Sequence, residues 1–149
     1  MRRILLVVAL MFAGIAAAYA GDPPKGPLKA MLYKNPQCGC CEGYAEYMRG
    51  NGFDVTVKPT NDLETINRKA GVPEKLEGCH AMFIDGYVID GHVPVNVVRR
   101  LLSERPPIKG ITLPGMPAGS PGMGGAKSGP FVVYALPKDG GAPTIYAKE

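Results

Sequence analysis

Leu28-Lys29-Ala30-Met31-Leu32-Tyr33, then Asn35-Pro36, then Cys38-Gly39-Cys40-Cys41 follow one another closely, and their order decides the fold. The first run reads as a strand, and Asn35-Pro36 stops it. From the cysteines onward Cys41, Tyr44, Ala45 and Met48 fall at i, i+3, i+4 and i+7, one face of a helix that ends near Gly50-Asn51-Gly52. Three thiols therefore sit where a strand hands over to a helix.

Working outward, Asp54-Val55-Thr56-Val57-Lys58 alternates as a second strand. Asn61 with Glu64 predicts a capping box, Leu63, Ile66 and Ala70 form a helical stripe, and Gly71 supplies its stop. Ala81-Met82-Phe83-Ile84 and Tyr87-Val88-Ile89 flank Asp85-Gly86, a hairpin signal. Pro94 opens a third helix, with Val95, Val98, Leu101 and Leu102 on one side, that Pro106-Pro107 closes. The order βαβαββα over residues 28–105, with cysteines between the first strand and first helix, resembles the thioredoxin fold. Residues 106–130 hold 6 prolines and 7 glycines and predict one long Gly/Pro/Met-rich loop. Phe131 to Leu136 and Pro143 to Ala147, around Asp139-Gly140-Gly141, predict an added C-terminal β-hairpin. The expected class is α/β.

At the other end Met1-Arg2-Arg3 precedes an apolar run from Ile4 to Ala18 and the small-x-small sequence Ala18-Tyr19-Ala20. This predicts a signal peptide over residues 1–20, cleaved after Ala20, and a single mature domain over 21–149. A retained anchor fits less well, because the apolar run is shorter than the roughly 20 residues a spanning helix needs. The chain of 149 residues is 46% apolar and 20% charged, a globular mix. Loss of Arg2 and Arg3 lowers the net charge from +4 to +2, so the basic balance says little about partners. With no tryptophan and no run of like charges interleaved with aromatics, a nucleic-acid surface has no support. No membrane contact is expected after cleavage, and no paired-carboxylate or serine-protease-like site is visible.

The four cysteines carry the chemistry. In an oxidising compartment two structural disulfides are the plain alternative, but three sulfurs crowded into one turn suit staples badly. In the expected topology the first strand delivers Cys38 to one end of the sheet. The strand after Cys79 starts from that end, and the Asp85-Gly86 turn sends the chain back to it with His92. Cys79 and His92 are therefore expected to converge on Cys38, Cys40 and Cys41. His80 is a weaker candidate, since strand alternation sends it to the face opposite Cys79. The loop can retrace the third helix and bring Met116 and Met123 to the same end, although both fit equally as gap-fillers. Thiolates near a helix N-terminus are stabilised by its dipole and free N–H groups. Soft thiolate and thioether donors select Cu(I), and crowded thiolates suit bridging of several Cu(I) ions. Zinc is the metal alternative, disfavoured here by the difficulty of aiming Cys38, Cys40 and Cys41 at one tetrahedral ion. Cys38 and Cys41 also form a Cys-x-x-Cys pair, the arrangement of a thiol-disulfide oxidoreductase. Tyr44 and Tyr47 are expected to be packing residues, and Glu42 and Glu46 solvated helix charges.

The set Cys38-Gly39-Cys40-Cys41, Gly71-Val72-Pro73, Cys79-His80, Asp85 through Pro94, Leu113-Pro114-Gly115-Met116-Pro117 and Gly119-Ser120-Pro121-Gly122-Met123 resembles the domain-of-unknown-function 411 family, which includes CopG-like proteins of bacterial copper-resistance loci. That resemblance implies an exported copper-binding protein of the periplasm, with copper ions and other periplasmic copper-handling proteins as partners and a role in copper or thiol redox chemistry. It implies Cys38, Cys40, Cys41 and Cys79 as the copper and redox thiols, with His92, Met116 and Met123, and more weakly His80, as supporting donors.

Overall fold

The structure, a computed structural model, describes residues 26–149, so the expected leader over residues 1–20 lies outside the described part. Its elements are β1 (Leu28–Lys34), α1 (Gly39–Gly50), β2 (Phe53–Pro59), α2 (Leu63–Ala70), a short 3-10 turn (Glu74–Leu76), β3 (His80–Ile84), β4 (Tyr87–Asp90), α3 (Val95–Glu104), β5 (Ile108–Thr112), β6 (Val132–Pro137) and β7 (Thr144–Lys148). All seven strands join one mixed sheet in the order β2-β1-β3-β4-β5-β6-β7.

Register fixes the end at which chemistry can gather. Lys34 at the end of β1 pairs with His80 at the start of β3, Ala81 pairs with Asp90 at the end of β4, and Asp90 pairs with Thr112 at the end of β5. The segments after β1, before β3, after β4 and after β5 thus all emerge at one end of the sheet. Alternation along β3 sends Met82 and Ile84 to one face, where α1 (Tyr44, Met48) and α3 (Val97, Leu101) complete the main core. Ala81 and Phe83 point the other way, into a smaller cluster with Leu63 and Ile66 of α2, Val72, Val88 and Leu136.

The turns follow their residues. Asp85 and Gly86 both have positive φ, 49° and 83°, the geometry of a two-residue hairpin whose twist matches its strands. Gly71 ends α2 in the left-handed region, as expected. The capping box does not form. The N-cap of α2 is Asp62 with no side-chain cap, and Thr60 Oγ1 instead accepts from the Asp62 N–H at 3.0 Å.

The long loop needs the larger correction, because its first part is a strand. β5 lies between β4 and β6, parallel to one and antiparallel to the other. The five-residue run Ile108-Lys109-Gly110-Ile111-Thr112 lies among prolines and glycines dense enough over residues 106–130 to mask its strand character. Gly110 itself belongs to the ladder, paired with Val88 and Leu136, and a Cβ there would overlap the Val88 carbonyl. The true loop, residues 113–131, is folded against the body: a side chain on Gly122 would overlap the Tyr44 backbone, and Ser120 is buried. The expected final hairpin forms as β6 and β7, with Asp139 Oδ1 accepting from the Gly141 N–H at 3.0 Å in the turn.

Candidate metal centre

β1 alternates Ala30, Leu32, Lys34 inward, which places a lysine at a buried position. Its ammonium is held by the carbonyls of Asn35, Pro36 and Cys38 at 3.3, 3.3 and 3.0 Å, and by Glu42 Oε1 at 3.0 Å. The turn that carries the first thiol is therefore wrapped around a buried cation. Glu42 is not simply a solvated helix charge; it is the counter-ion of Lys34.

Cys38 occupies the N-cap of α1 and Cys41 lies in its first turn. The two are joined as a disulfide, with Cα atoms 5.6 Å apart. Cys40 and Cys79 carry free thiols. Cys40 Sγ lies 3.3 Å from Cys38 Sγ and 3.8 Å from Cys79 Sγ, while Cys79 Sγ lies 3.3 Å from Cys41 Sγ. All four sulfurs fall within 4.8 Å of one another, so three neighbouring cysteines do converge with a fourth despite their crowding.

Cys79 precedes β3 in a bend, so strand alternation does not govern it, and His80 is not turned away from the site. It lies on the face shared by Met82 and Ile84, with its ring 4.5 Å from Tyr44 and 5.0 Å from His92, centroid to centroid. Ligand atoms of Cys41, Cys79, His80 and His92 also lie within 4.8 Å of one another. His80 is fully buried, and burial, reinforced by neighbouring His92, pushes its pKa down to about 3, so the ring is neutral. Its Nε2 has no hydrogen-bond partner among the described residues.

His92 arrives from the turn after β4, where Gly91 has φ 72° and packs so tightly that a Cβ would overlap the Leu113 carbonyl. Its Nδ1 lies 2.6 Å from the Pro121 carbonyl and its Nε2 2.9 Å from Cys79 Sγ. Since a carbonyl only accepts, the Nδ1–H is the donor and the Nε2 lone pair faces the sulfur. Burial lowers the His92 pKa. Burial also pushes the Cys79 thiol up to about 12, with Cys40 adding to the effect.

Beneath this layer Asp90 is fully buried and accepts from the Gly78 N–H and the Thr112 hydroxyl, the latter at 2.9 Å. Burial pushes its carboxyl up to about 7, against the lowering effect of those two bonds. The segment before Cys79 is thereby tied to the ends of β4 and β5. Tyr44 and Tyr47 pack as expected, and both also hold α3: the Tyr44 hydroxyl donates to the Val93 carbonyl at 2.9 Å, and the Tyr47 hydroxyl accepts from the Val95 N–H at 3.0 Å.

The six cysteine and histidine candidates fall in two overlapping groups of four that have Cys41 and Cys79 in common. Met116 is 53% exposed on the loop, and Met123 is half-buried one residue beyond Gly122, where the loop presses on α1. Lys34 and Asp90 were missing from the expected site. Both carried a signal, a charge at an inward position of a strand otherwise apolar on that side.

A mixed α/β body with a cysteine-histidine cluster at one end of its sheet defines the class. The model of the family described as "protein of unknown function, DUF411" matches residues 76–123. Two solved structures, copper resistance protein CopG in form 1 and form 2, are similar to this chain. Each is 34% identical, with a TM-score of 0.76 and coverage of 83% of this chain and 98% of the other. The chain belongs to the DUF411 family of CopG-like copper-resistance proteins. No curated protein matches it.

Proposed function

We propose that this chain is an exported, periplasmic copper-binding protein that holds Cu(I) among Cys38, Cys40, Cys41 and Cys79. The observation that carries this reading is the gathering of four sulfurs from two distant segments within 4.8 Å. The donor set fits the ion: thiolates are soft, and soft donors favour Cu(I) over harder divalent ions. Crowding no longer weighs against a single zinc ion, so the preference for copper rests on donor softness and on the kinship with copper-resistance proteins.

In this reading reduction of the Cys38–Cys41 disulfide, by two electrons and two protons, opens the full thiol set. The N-terminus of α1 then favours the thiolates of its first turn. Four bridging thiolates suit more than one Cu(I). His92 contributes Nε2, with the Pro121 carbonyl fixing its tautomer from behind. The unpartnered Nε2 of His80 is a reserve donor. Met123, on the loop pressed against α1, is a supporting thioether and Met116 a more peripheral one. The βαβαββα portion is read as thioredoxin-like, residues 1–20 as the export signal, and 21–149 as one domain. Other periplasmic copper-handling proteins are the expected donors or acceptors of copper.

The second reading, a thiol-disulfide oxidoreductase with incidental metal binding, is favoured by the Cys38–Cys41 disulfide at the start of α1. Anaerobic Cu(I) titration against a chelator, run beside an insulin-reduction assay, separates the two. Several equivalents of tightly held copper without disulfide turnover support the copper reading. Turnover with weak or no copper binding overturns it.

A further inference from the structure

One face of the sheet is sparsely covered. α1 and α3 pack on the face of Met82 and Ile84, while α2 is the helix on the other. A helix is about 10 Å across, whereas seven strands side by side span roughly 30 Å, so apolar side chains on that face stay half-exposed. Register places Met31 of β1 beside Phe83 of β3 there, and the Tyr33 ring meets the Phe83 ring edge-on, with centroids 5.8 Å apart. With Ile66 of α2 they line an open recess of about 420 Å³, rimmed by Lys69. A second open recess of about 450 Å³ shares Phe83 and Lys69 with the first and continues past Ile108 to Lys109 and Lys138. Lys69 and Lys138 are exposed, and Lys109 reaches across the end of α2, where a Cβ on Gly71 would overlap its ammonium. No acidic side chain lines either recess, and among the described residues none of the three lysines is in an ion pair.

We propose that this groove docks a partner protein through a short extended segment that carries several Asp or Glu residues around one large apolar side chain. The apolar anchor enters the recess of Met31, Ile66 and Phe83, and the carboxylates lie on Lys69, Lys109 and Lys138. Charge complementarity sets the sign of the partner, since three cations without counter-ions border an apolar floor. Shape decides against other ligands of the same chemistry. A membrane surface is gripped by apolar side chains that protrude, but the large exposed apolar residues, Met116 and Ile145, lie outside both recesses. A small amphiphilic anion is held where most of its surface is buried, which two recesses open along one side do not provide. The groove runs from the middle of β1 to the Asp85-Gly86 turn, on the face away from α1 and toward the end of the sheet opposite the cysteines. A partner seated there leaves the candidate metal centre uncovered, so docking and metal exchange can proceed together.

The test pans phage-displayed random dodecapeptides against the metal-free protein, then measures the enriched peptides, synthesised with a fluorescent label, by anisotropy. Enrichment of sequences with acidic residues flanking Phe, Leu, Ile or Met is the expected result; enrichment without acidic residues, or none, overturns the proposal. Lys69→Glu with Lys138→Glu should weaken binding of the enriched peptide at least about tenfold, since two attractions become repulsions. Arg99→Glu with Lys148→Glu changes the net charge equally on exposed positions outside both recesses, and should change binding less than about twofold. Equal losses in the two variants would reduce the effect to net charge and overturn the proposal. Met31→Gln should weaken binding at least about fivefold through loss of the apolar floor, and unchanged affinity contradicts the anchor. Urea unfolding checks that each variant is folded, and the two lysines, being exposed, keep the test decisive should Met31→Gln unfold. Vesicles of phosphatidylglycerol and phosphatidylcholine form the last arm: co-sedimentation abolished by Lys69→Glu with Lys138→Glu would assign the groove to a lipid surface instead. Every arm is metal-free, so failure here leaves the copper reading standing, and failure of copper binding leaves this docking surface standing.

Discussion

Acidification should act on two buried groups in opposite directions, and single substitutions should uncover each. His80 has a folded pKa of about 3 against an ordinary 6.5. Between pH 7 and pH 5 the unfolded chain takes up a proton that the folded chain refuses, a loss of about 2 kcal/mol of stability at pH 5. Asp90 runs the other way, with a folded pKa of about 7 against 3.8. At pH 5 the folded chain keeps a proton that the unfolded chain has released, a gain of about 2 kcal/mol that fades as the pH rises through 7. His92, also lowered by burial, adds to the side of His80. The intact protein should therefore show only a shallow dependence. His80→Phe keeps a ring against Tyr44 but cannot titrate, so relative to the parent it should gain about 2 kcal/mol on going from pH 7 to pH 5. Asp90→Asn keeps an acceptor for the Gly78 N–H and should lose about as much over the same interval. The assay is equilibrium urea unfolding of metal-free, disulfide-intact protein at both pH values, with the slope checked for constancy. A His80→Phe variant with the parent's pH profile would refute the reasoning, because it would mean that the folded site accepts the proton.

Other substitutions separate the site from its scaffold. Cys79→Ser should cut Cu(I) capacity in chelator competition while changing the free energy of urea unfolding by less than about 1 kcal/mol, since the half-buried thiol is no part of the main core. Full capacity in that variant would remove Cys79 from the copper site. Met116→Leu with Met123→Leu should weaken copper affinity modestly and leave thiol redox unchanged, with most of the effect from Met123; unchanged affinity would make both simple loop residues. Tyr44→Phe deletes a buried donor and strands the Val93 carbonyl, for a cost of about 1–2 kcal/mol in thermal or urea unfolding.

Most of the fold was legible because its punctuation is local. Asp85-Gly86, Gly71 and the turn after Tyr33 each determine a chain reversal or stop from neighbouring residues alone. The convergence of Cys79 and His92 on the first cysteines followed from strand direction, which needs only the order of elements. What escaped depended on tertiary context. β5 is short with a glycine, Gly110, in its middle, and its strand character comes from pairing on both sides with β4 and β6. Strand alternation carried through Cys79 turns His80 away from the site, but Cys79 sits in a bend, where that alternation does not hold. Lys34 and Asp90 became parts of the site only once the turn after β1 and the segment before β3 were seen to close around them. Their partners are mainly backbone groups, which carry no mark in the sequence.

The central claim is that copper is held by sulfur gathered from both cysteine segments. X-ray absorption at the copper edge of anaerobically Cu(I)-loaded protein tests it most directly. The expected spectrum has a first shell dominated by sulfur, with copper–copper scattering behind it. A first shell of nitrogen and oxygen at isolated ions would contradict the account.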